Sequence, residues 1–364
     1  MAGPTREQVL DALRTVNDPE LQKDLVTLGM IKHLQVTDSQ VTLTVELTTP
    51  ACPLRNMIRD DVERAVRAVP GVQKVQVEMT ARVRGAPAPA VELPGVKNVI
   101  AVGAGKGGVG KSTVSVLTAI GLARAGAKVG LLDADVYGPS IPKMLGIEDQ
   151  QPYMENNQIL PVDGPGGIKV ISMGLLVDPG RPIIWRGPMI HNVLQQFLQQ
   201  VNWGELDYLV VDLPPGTGDT QISLSQLIPI TGAIMVTTPQ EVSVLDVEKA
   251  LAMWKKVQVP VVGVVENMSY YLCPSCGHRD EIFSRGGGRA LAEREGLRFL
   301  GEIPLLTSVR RGGDAGKPLI LAEPASPVAQ IFIDIAQQVA CALSVRNLPD
   351  PGTAKRSSRL TVLR

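Results

Sequence analysis

The stretch that decides the fold is Gly105-Lys106-Gly107-Gly108-Val109-Gly110-Lys111-Ser112-Thr113. An apolar run, residues 99–102, precedes it, and residues 114–120 after it can continue as a helix. A strand, a glycine-rich loop, a Lys-Ser pair and a helix in this order are typical of a loop that binds nucleotide phosphates. Glycines let backbone N–H groups approach phosphate oxygens, and the helix N-terminus adds free donors. Lys111 is predicted to reach the β- and γ-phosphates, and Ser112 to bind Mg²⁺.

The loop contains a second lysine, Lys106, directly after its first glycine. In this respect the nonamer resembles the deviant Walker A loop of the MinD/ParA-type ATPases. In that group the extra lysine reaches the phosphates held by the partner subunit of a nucleotide-sandwich dimer. The resemblance therefore implies a homodimer in which Lys106 is delivered in trans, as an arginine finger is. A solvated lysine with no catalytic role is the alternative.

Charge balance and cysteine usage limit the class of protein. Lys and Arg together number 36, as do Asp and Glu, so we expect no nucleic acid and no membrane among the partners. Residues 1–6 contain no apolar signal core, and no uninterrupted apolar run approaches membrane-spanning length. Four cysteines at uneven spacing do not make a disulfide scaffold. We therefore expect a cytoplasmic protein with reduced thiols.

The chain is predicted to contain two folded units and two connecting or terminal segments. Residues 1–83 show a helix, strand, helix, strand pattern that predicts a small α+β domain. Residues 84–96 are rich in Pro, Ala and Gly and are expected to form a linker, whereas residues 347–364 are expected to be a disordered tail.

Residues 97–346 alternate apolar strand-like runs with helical ones, which predicts an α/β fold with a doubly wound, mostly parallel sheet. Ligands of such sheets gather at the carboxyl ends of the strands. The predicted strands are 98–103, 128–133, 168–172, 207–212, 232–237 and 261–266, and the predicted helices are 111–125, 188–201, 241–257 and 285–295.

The first unit has two stretches of recognisable sequence, residues 16–21 and 48–54. Both resemble the small iron–sulfur-assembly domain that also occurs alone as SufT-like proteins. Cys52 lies in the second stretch, at a predicted loop-to-helix junction, where a helix N-terminus can lower a thiol pKa. The alternative is a buried cysteine with a packing role only.

Acidic residues end two of the predicted strands. Asp133 and Asp135 follow one of them, and since only one residue of an alternating pair follows the inward face, their roles should differ. By resemblance this is the switch I segment, in which Asp135 positions and polarises the attacking water. Asp212 ends another apolar strand before Pro-Pro-Gly-Thr-Gly and is predicted to hold Mg²⁺ as a Walker B acid. Gly216 and Gly218 permit that segment to change conformation when the γ-phosphate leaves. A helix cap or solvated turn is the alternative for each acid alone.

Two residues are candidates for contact with the base. Asn267 ends a predicted strand, and by resemblance its amide reads adenine; an Asx turn is the alternative. Pro304 lies in a Glu-Ile-Pro segment that resembles the backbone lining the other side of the base. The chain has no guanine-selective Asn-Lys-x-Asp motif, which favours ATP.

The most distinctive chemistry lies in Cys273-Pro274-Ser275-Cys276-Gly277-His278. Two thiolates at this spacing chelate one soft metal centre and supply half of a four-thiolate site. In one reading a two-fold dimer joins two copies around a bridging [4Fe–4S] cluster. In the second, Cys273, Cys276 and His278 form part of a zinc knuckle. In the third, the pair is a redox dithiol, although the sequence context is not the usual one.

The order of motifs along the chain resembles the Mrp/ApbC family of iron–sulfur cluster carrier ATPases over about residues 97–345. That likeness implies a homodimer that receives a cluster from an assembly scaffold, holds it on Cys273 and Cys276 of both subunits and passes it to apo-proteins, with ATP hydrolysis as the switch. Because no N-terminal four-cysteine motif is present, no second cluster is expected. The motifs are the deviant P-loop, Asp-Ala-Asp-Val-Tyr-Gly-Pro-Ser, Asp-Leu-Pro-Pro-Gly-Thr-Gly-Asp, Glu-Asn-Met-Ser and Cys-Pro-x-Cys.

Two other functions use the same nucleotide switch. A MinD/ParA-like positioning ATPase needs a basic amphipathic helix or a basic face, and only three tail arginines, Arg356, Arg359 and Arg364, offer support. A zinc-binding metallochaperone ATPase normally carries a His-rich tract, whereas this chain has three histidines.

Overall fold

The computed structural model describes residues 3–85, 93–176, 187–216 and 227–347. Most of the predicted linker, residues 217–219 of the Pro-Pro-Gly-Thr-Gly-Asp segment and nearly all of the predicted tail lie outside the described residues.

The first unit contains a three-stranded sheet and two helices, so its sheet has one strand more than the sequence predicts. In the sheet β3 pairs with β4 antiparallel, and β4 pairs with β5 parallel. One strand, β3, was not predicted, because His33 has a left-handed φ of 47° and a register shift between Lys32 and Gln35 interrupts its alternation. The elements are α1 (Arg6–Leu13), β1 (Asn17–Asp18), β2 (Lys23–Asp24), β3 (Ile31–Thr37), β4 (Gln40–Leu47), α2 (Arg55–Arg67) and β5 (Lys74–Ala81).

The second unit is built on a large, mostly parallel sheet in the order β10-β11-β7-β12-β6-β13-β14, with β15 and β16 both beside β14. Antiparallel pairing in this sheet joins β10 to β11 and β14 to β15. Its strands are β6 (Val99–Ala104), β7 (Val129–Asp133), β10 (Val162–Gly164), β11 (Ile168–Ser172), β12 (Tyr208–Asp212), β13 (Gly232–Thr237), β14 (Val261–Leu272), β15 (Arg279–Asp280) and β16 (Phe299–Leu305). A separate hairpin comprises β8 (Tyr153–Glu155) and β9 (Gln158–Leu160).

Helices cover both faces of this sheet, which confirms the doubly wound prediction. Successive residues of β6 pack on opposite faces of the sheet. Ile100 and Val102 belong to the apolar cluster on one face, and Val99 and Ala101 belong to the cluster on the other. Every residue of β6 is buried, as expected for a central parallel strand. The helices are α3 (Lys111–Arg124), α4 (Ile141–Leu145), α5 (Gly187–Gln199), α6 (Glu241–Lys256), α7 (Gly287–Glu295), α8 (Thr307–Asp314), α9 (Leu319–Ala322) and α10 (Pro327–Arg346).

The C-terminal part contains elements that were not predicted as such, namely β16 and helices α8 to α10. By length and composition alone, α10 is apolar enough to cross a membrane. It packs against α3 and β16, and its side chains Phe332, Ile335 and Val339 are buried there. A Cβ on Gly121 of α3 would lie 2.8 Å from the Cβ of Ala336, so the close approach of the two helices depends on that glycine.

Candidate functional site

The glycine-rich loop joins the end of β6 to the start of α3. Gly110 is the N-cap of α3 and has a left-handed φ of 84°. A Cβ there would lie 2.1 Å from Asn267 Nδ2, and one on Gly105 would lie 2.3 Å from the backbone of Asp246. Glycine is therefore required at Gly105 because the backbone of Asp246 lies too close for any side chain, and at Gly110 because other residues are strained at its left-handed φ. The loop and the α3 N-terminus together have the geometry of a phosphate cradle.

Lys111, Ser112 and Ser115, all in the first turns of α3, converge on Asp212 at the end of β12. Lys111 Nζ lies 2.7 Å from Asp212 Oδ2, and the Ser112 hydroxyl donates to the same oxygen at 2.7 Å. The Ser115 hydroxyl donates to Oδ1 at 2.6 Å. A hydroxyl and a carboxylate within contact distance are hard oxygen ligands, so the pair Ser112 and Asp212 fits Mg²⁺. Ser115 was missed by the sequence reasoning, although it lies one helical turn after Lys111.

Asp133, the last residue of β7, and Asp135, two residues beyond it, differ in their surroundings, as the sequence predicts. Asp135 is half-buried and its carboxylate lies 3.7 Å from Lys111 Nζ. Burial raises the pKa of Asp135 from its ordinary value, and the Lys111 charge opposes that shift. Asp133 is fully buried and accepts a hydrogen bond from Ser172 at 2.9 Å. Burial, and then the charge of Asp212 on the adjacent strand, raise the pKa of Asp133 to about 7.

A pH-dependent stability follows from Asp133 in the protein without Mg²⁺ and nucleotide. The folded chain retains a proton there that the unfolded chain, with a carboxyl pKa of 3.8, has released. The raised pKa therefore contributes stability at low pH that is lost as the pH rises toward about 7. Between about pH 5.5 and about pH 8 we expect the free energy of unfolding of the wild type to fall by ~2 kcal/mol relative to that of Asp133→Asn. Urea unfolding of both proteins at both pH values measures this change. If wild type and Asp133→Asn differed in free energy of unfolding by the same amount at the two pH values, the expectation would be contradicted.

A cavity of about 470 Å³ opens beside the P-loop, between β14, β16 and α8. Asn267 and Pro304, the two residues predicted to contact the base, both line it, together with Gly110 and Met268. The Asn267 Nδ2 amide donates to the carbonyl of Val109 at 2.8 Å. Asn267 thus also holds the P-loop in place, a role that its spacing in the sequence did not indicate.

Lys106, the second lysine of the loop, is half-buried. In the described part of the chain it forms no ion pair with a carboxylate, unlike Lys111. Its charge is therefore not neutralised within the described residues.

The Cys-x-x-Cys loop connects β14 to β15 as a short hairpin. The Cys273 N–H donates to the His278 carbonyl and the Gly277 N–H to the Cys273 carbonyl, each at 2.9 Å. The N–H groups of Ser275 and then Cys276 donate to the Cys273 sulfur and lower its pKa. Cys276 is exposed and Cys273 is half-exposed. The backbone thus favours a thiolate that is accessible from outside the subunit.

A charged cluster joins the base of this hairpin to β16. We call Glu302, Arg285, Arg279, Tyr270 and Ser269 the Glu302 cluster. Arg285 donates to both carboxylate oxygens of Glu302, at 2.8 and 3.1 Å, and lowers the pKa of that carboxyl. The Arg279 guanidinium stacks over the Tyr270 ring at 3.6 Å and lies 3.7 Å from Glu302. Ser269 donates to Glu302 at 3.3 Å. β14 and β16, the two strands that line the nucleotide cavity, therefore also contact the base of the hairpin through this cluster.

The number of ligands that one chain offers at the hairpin is small. Among residues 3–85, 93–176, 187–216 and 227–347, no three His, Cys, Asp or Glu side chains converge as a metal site. The structure thus does not assemble Cys273, Cys276 and His278 into the three-ligand arrangement that the zinc interpretation requires.

A doubly wound sheet with a P-loop, a Lys111–Asp212 pair and an adjacent base cavity defines a P-loop NTPase. Residues 95–340 match the family described as NUBPL iron-transfer P-loop NTPase, within the ParA group, and residues 6–79 match the family described as iron-sulfur cluster assembly protein. The chain belongs to this family of iron-transfer P-loop NTPases. The family resemblance that the sequence motifs indicated is thereby confirmed.

Relatives of nearly the same length match almost the whole chain. A protein from Deinococcus radiodurans named iron-sulfur cluster carrier protein is 52% identical over 345 residues, which cover 94% of this chain and 97% of the relative. A Synechocystis protein of the same name is 48% identical, with 94% and 99% coverage.

Solved structures resemble about two thirds of the chain. A nucleotide-binding protein from Archaeoglobus fulgidus in complex with ADP is 40% identical, with a TM-score of 0.58, over 66% of this chain and 93% of that one. The MinD cell division protein of Aquifex aeolicus, 23% identical with a TM-score of 0.50, covers 66% and 96% and shares the fold.

Proposed function

We propose that the protein is an ATP-dependent carrier of iron–sulfur clusters. It receives a cluster from an assembly scaffold, holds it on Cys273 and Cys276 of two subunits and passes it to apo-proteins in the cytoplasm. The observation that carries this proposal is the course of β14. The strand contacts the P-loop through Asn267, and six residues later the chain reaches Cys273, where the hairpin begins.

A homodimer is proposed because two thiolates from one chain are half of what a [4Fe–4S] cluster requires. An isologous dimer supplies the other two from the same hairpin of the partner. Val242 and Leu245, at the start of α6, support such a pairing, since they are apolar, 64% and 54% exposed, and on the helix whose Asp246 abuts the P-loop.

The nucleotide site would bind and hydrolyse ATP with Mg²⁺. Lys111 and the loop N–H groups bind the phosphates, and Ser112 and Asp212 hold Mg²⁺, which offsets phosphate charge. Asp135 orients the attacking water, and Lys106 of one subunit reaches the phosphates bound by the other. Asn267 and Pro304 enclose the base.

Coupling between hydrolysis and transfer would run through the dimer. Bound ATP favours the closed pair because it adds contacts available only there, and loss of the γ-phosphate removes them. A cluster held by two ligands per chain then changes in geometry or exposure as the pair relaxes. Weak retention suits a carrier, because tighter ligation would prevent delivery.

Anaerobic reconstitution with iron and sulfide tests the proposal. We expect the wild type to develop the visible absorption of an iron–sulfur cluster and to contain one cluster per dimer by metal and mass analysis. Cys273→Ser/Cys276→Ser should develop neither the absorption nor cluster-dependent dimer formation. Zinc bound within one subunit, with no cluster, would contradict the carrier assignment.

The Glu302 cluster is expected to control how firmly the hairpin holds its cargo. Glu302→Gln keeps the shape of the side chain but removes the charge that pairs with Arg285 and Arg279. We expect iron to be lost to a chelator about fivefold faster, equivalent to ~1 kcal/mol, with ATP hydrolysis unchanged.

Glu281→Gln is the matched control, because Glu281 pairs with the same Arg285 but at 3.7 Å and with half of its side chain exposed. An equal effect of both substitutions would show that the charge of the region, and not the Glu302 contact, controls iron retention.

A further inference from the structure

A bulge interrupts β14 between the nucleotide cavity and the Cys273 hairpin. Asn267 pairs with β16 and the next paired residue is Tyr271, so residues 268–270 lie opposite Pro304 alone. Proline has no N–H with which to continue the ladder, which explains why the pairing stops there. Met268 lines the cavity and has a left-handed φ of 56°, a conformation that residues with a side chain rarely adopt. A ligand in the cavity therefore meets the backbone of β14 at its most irregular point.

Ser269, the middle residue of this bulge, lies between two carboxylates. It is fully buried, and its hydroxyl donates to Glu266 and, at 3.3 Å, to Glu302. Glu266 is fully buried as well and directly precedes Asn267, whose amide donates to the P-loop at 2.8 Å. Ser269 thus connects the part of β14 that contacts the P-loop with the carboxylate at the base of the hairpin.

Glu266 also holds the chain where it returns from the hairpin. The N–H groups of Gly286 and Gly288 donate to its carboxylate at 3.1 and 2.6 Å. Both belong to the start of α7, where backbone donors have no partner within the helix. We call residues 270–285 the hairpin segment. Its near end is held through Ser269 and its far end through Gly286, both on the same carboxylate, so Glu266 sets the two ends relative to each other.

The bond to Ser269 goes beyond what a helix cap requires. The contacts of Glu266 with Gly286 and Gly288 already satisfy the first donors of α7. The additional bond restrains a residue of the bulge, directly after Met268 in the cavity wall. One buried hydroxyl therefore connects the wall of the cavity with both ends of the hairpin segment.

We propose that Ser269 is a positioning residue that links occupancy of the base cavity to the backbone of the Cys273 hairpin within one subunit. A base in the cavity contacts Asn267 and Met268 and restricts the bulge, and Ser269 transmits that restriction through Glu266 and Glu302 to the hairpin segment. The link rests on the proposed binding of nucleotide in this cavity and on the proposed role of the hairpin as the cargo site. It adds to the coupling through the dimer a route that a single subunit contains.

Hydrogen exchange of the full-length protein with and without ADP tests the link. ADP fills the base cavity but lacks the γ-phosphate on which the proposed closed dimer depends, so its effect is separate from dimer closure. The N–H groups of Cys273 and Gly277 are bonded within the hairpin, and their exchange reports how often it opens. We expect ADP to slow this exchange about fivefold in the wild type, the effect of roughly one hydrogen bond.

In Ser269→Ala the slowing by ADP should be less than about twofold, because the hydroxyl that joins the bulge to both carboxylates is absent. The affinity for ADP, measured by calorimetry, should change by no more than the fivefold factor that the link supplies, about fivefold. Equal slowing in wild type and Ser269→Ala, or no slowing in either, would overturn the proposal. Loss of ADP binding well beyond that factor would place Ser269 in the nucleotide site and overturn it too.

Two further variants separate the hydroxyl from packing. Ser269→Thr keeps the hydroxyl and should keep the response to ADP; a loss as large as in Ser269→Ala would show that packing, and not the hydrogen bond, sets the response. Thr231→Val is the matched control. Thr231 is also buried, and its hydroxyl accepts from the N–H of Val99 at 3.0 Å, but it precedes β13 at the edge of the sheet opposite the P-loop. We expect this variant to respond to ADP as the wild type does.

The test is independent of the carrier function, because exchange is measured on protein without a cluster. Cys273→Ser/Cys276→Ser cannot hold a cluster, yet it should show the wild-type response to ADP. Loss of the response in that variant would assign it to the thiols and overturn the role of Ser269. A failed reconstitution with iron and sulfide would contradict the carrier assignment and leave the exchange result unchanged.

Discussion

Lys111→Ala is expected to lower ATP hydrolysis at least ~100-fold and to weaken ATP binding, because it removes the cation that we propose binds the β- and γ-phosphates. Lys111 Nζ lies 2.7 Å from Asp212 and 3.7 Å from Asp135, so the substitution also leaves two buried or half-buried carboxylates without their shared cation. Hydrolysis measured by phosphate release and binding measured by calorimetry separate the two losses. Circular dichroism verifies that the variant is folded.

Lys97→Ala is the matched control. Lys97 also pairs with an aspartate at 2.8 Å, Asp207, but it lies before β6, at the opposite edge of the sheet from the P-loop. We expect this variant to keep both binding and hydrolysis. A similar loss in Lys97→Ala would indicate a general destabilisation and not a role of Lys111 in the site.

The same Lys111 variant tests the proposed switch. If hydrolysis drives transfer, reconstituted Lys111→Ala should still carry a cluster, because Cys273 and Cys276 are intact, but ATP should no longer accelerate delivery to an apo-acceptor. Delivery at the wild-type rate in the presence of ATP would leave cluster transport uncoupled from the nucleotide.

Mixing two inactive variants is expected to restore hydrolysis if Lys106 acts across the dimer. Lys106→Ala and Asp135→Asn should each lower hydrolysis on the order of 1000-fold as homodimers, since one removes the trans cation and the other the group that orients water. In a mixed dimer, the subunit with Lys106→Ala keeps its own Asp135 and receives Lys106 from its partner. One of the two sites is then complete.

Because half of randomly formed dimers are mixed and each has one complete site, an equimolar mixture should recover about a quarter of wild-type hydrolysis. The measurement is phosphate release after subunit exchange, with each variant alone as the control. If Lys106 served only the nucleotide of its own subunit, the mixture would stay as inactive as its components.

The nucleotide half of the site was largely predictable from the chain. The residues of the glycine loop are contiguous, and the strand and helix around it are long and strongly patterned, so local chemistry specifies their structure. The positions of Asp135 and Asp212 near the P-loop were also predictable, because the carboxyl ends of parallel strands lie at the same edge of the sheet. The structure brings both within reach of Lys111.

Other features could not be predicted because they join residues that no local pattern relates. Asn267 bonds Val109 across 158 positions of sequence, which is how a predicted base contact also supports the P-loop. No particular role was predicted for Asp133, yet burial, and then the charge of Asp212 on the paired strand, raise the pKa of its carboxyl. Arg285 and Glu302 each look like ordinary surface charges in the sequence.

The sequence by itself determined the class of protein, the doubly wound sheet, the phosphate loop with its second lysine and a short loop with two cysteines. These depend on the order, period and spacing of residues near one another in the chain, where propensity and covalent geometry act. Only the tertiary structure decided that β14 connects the nucleotide cavity to the hairpin and that Thr49, in the loop after β4, bonds Tyr208 of the NTPase. Contacts of that kind are set by how whole elements pack, and packing depends on shape and burial across the entire fold.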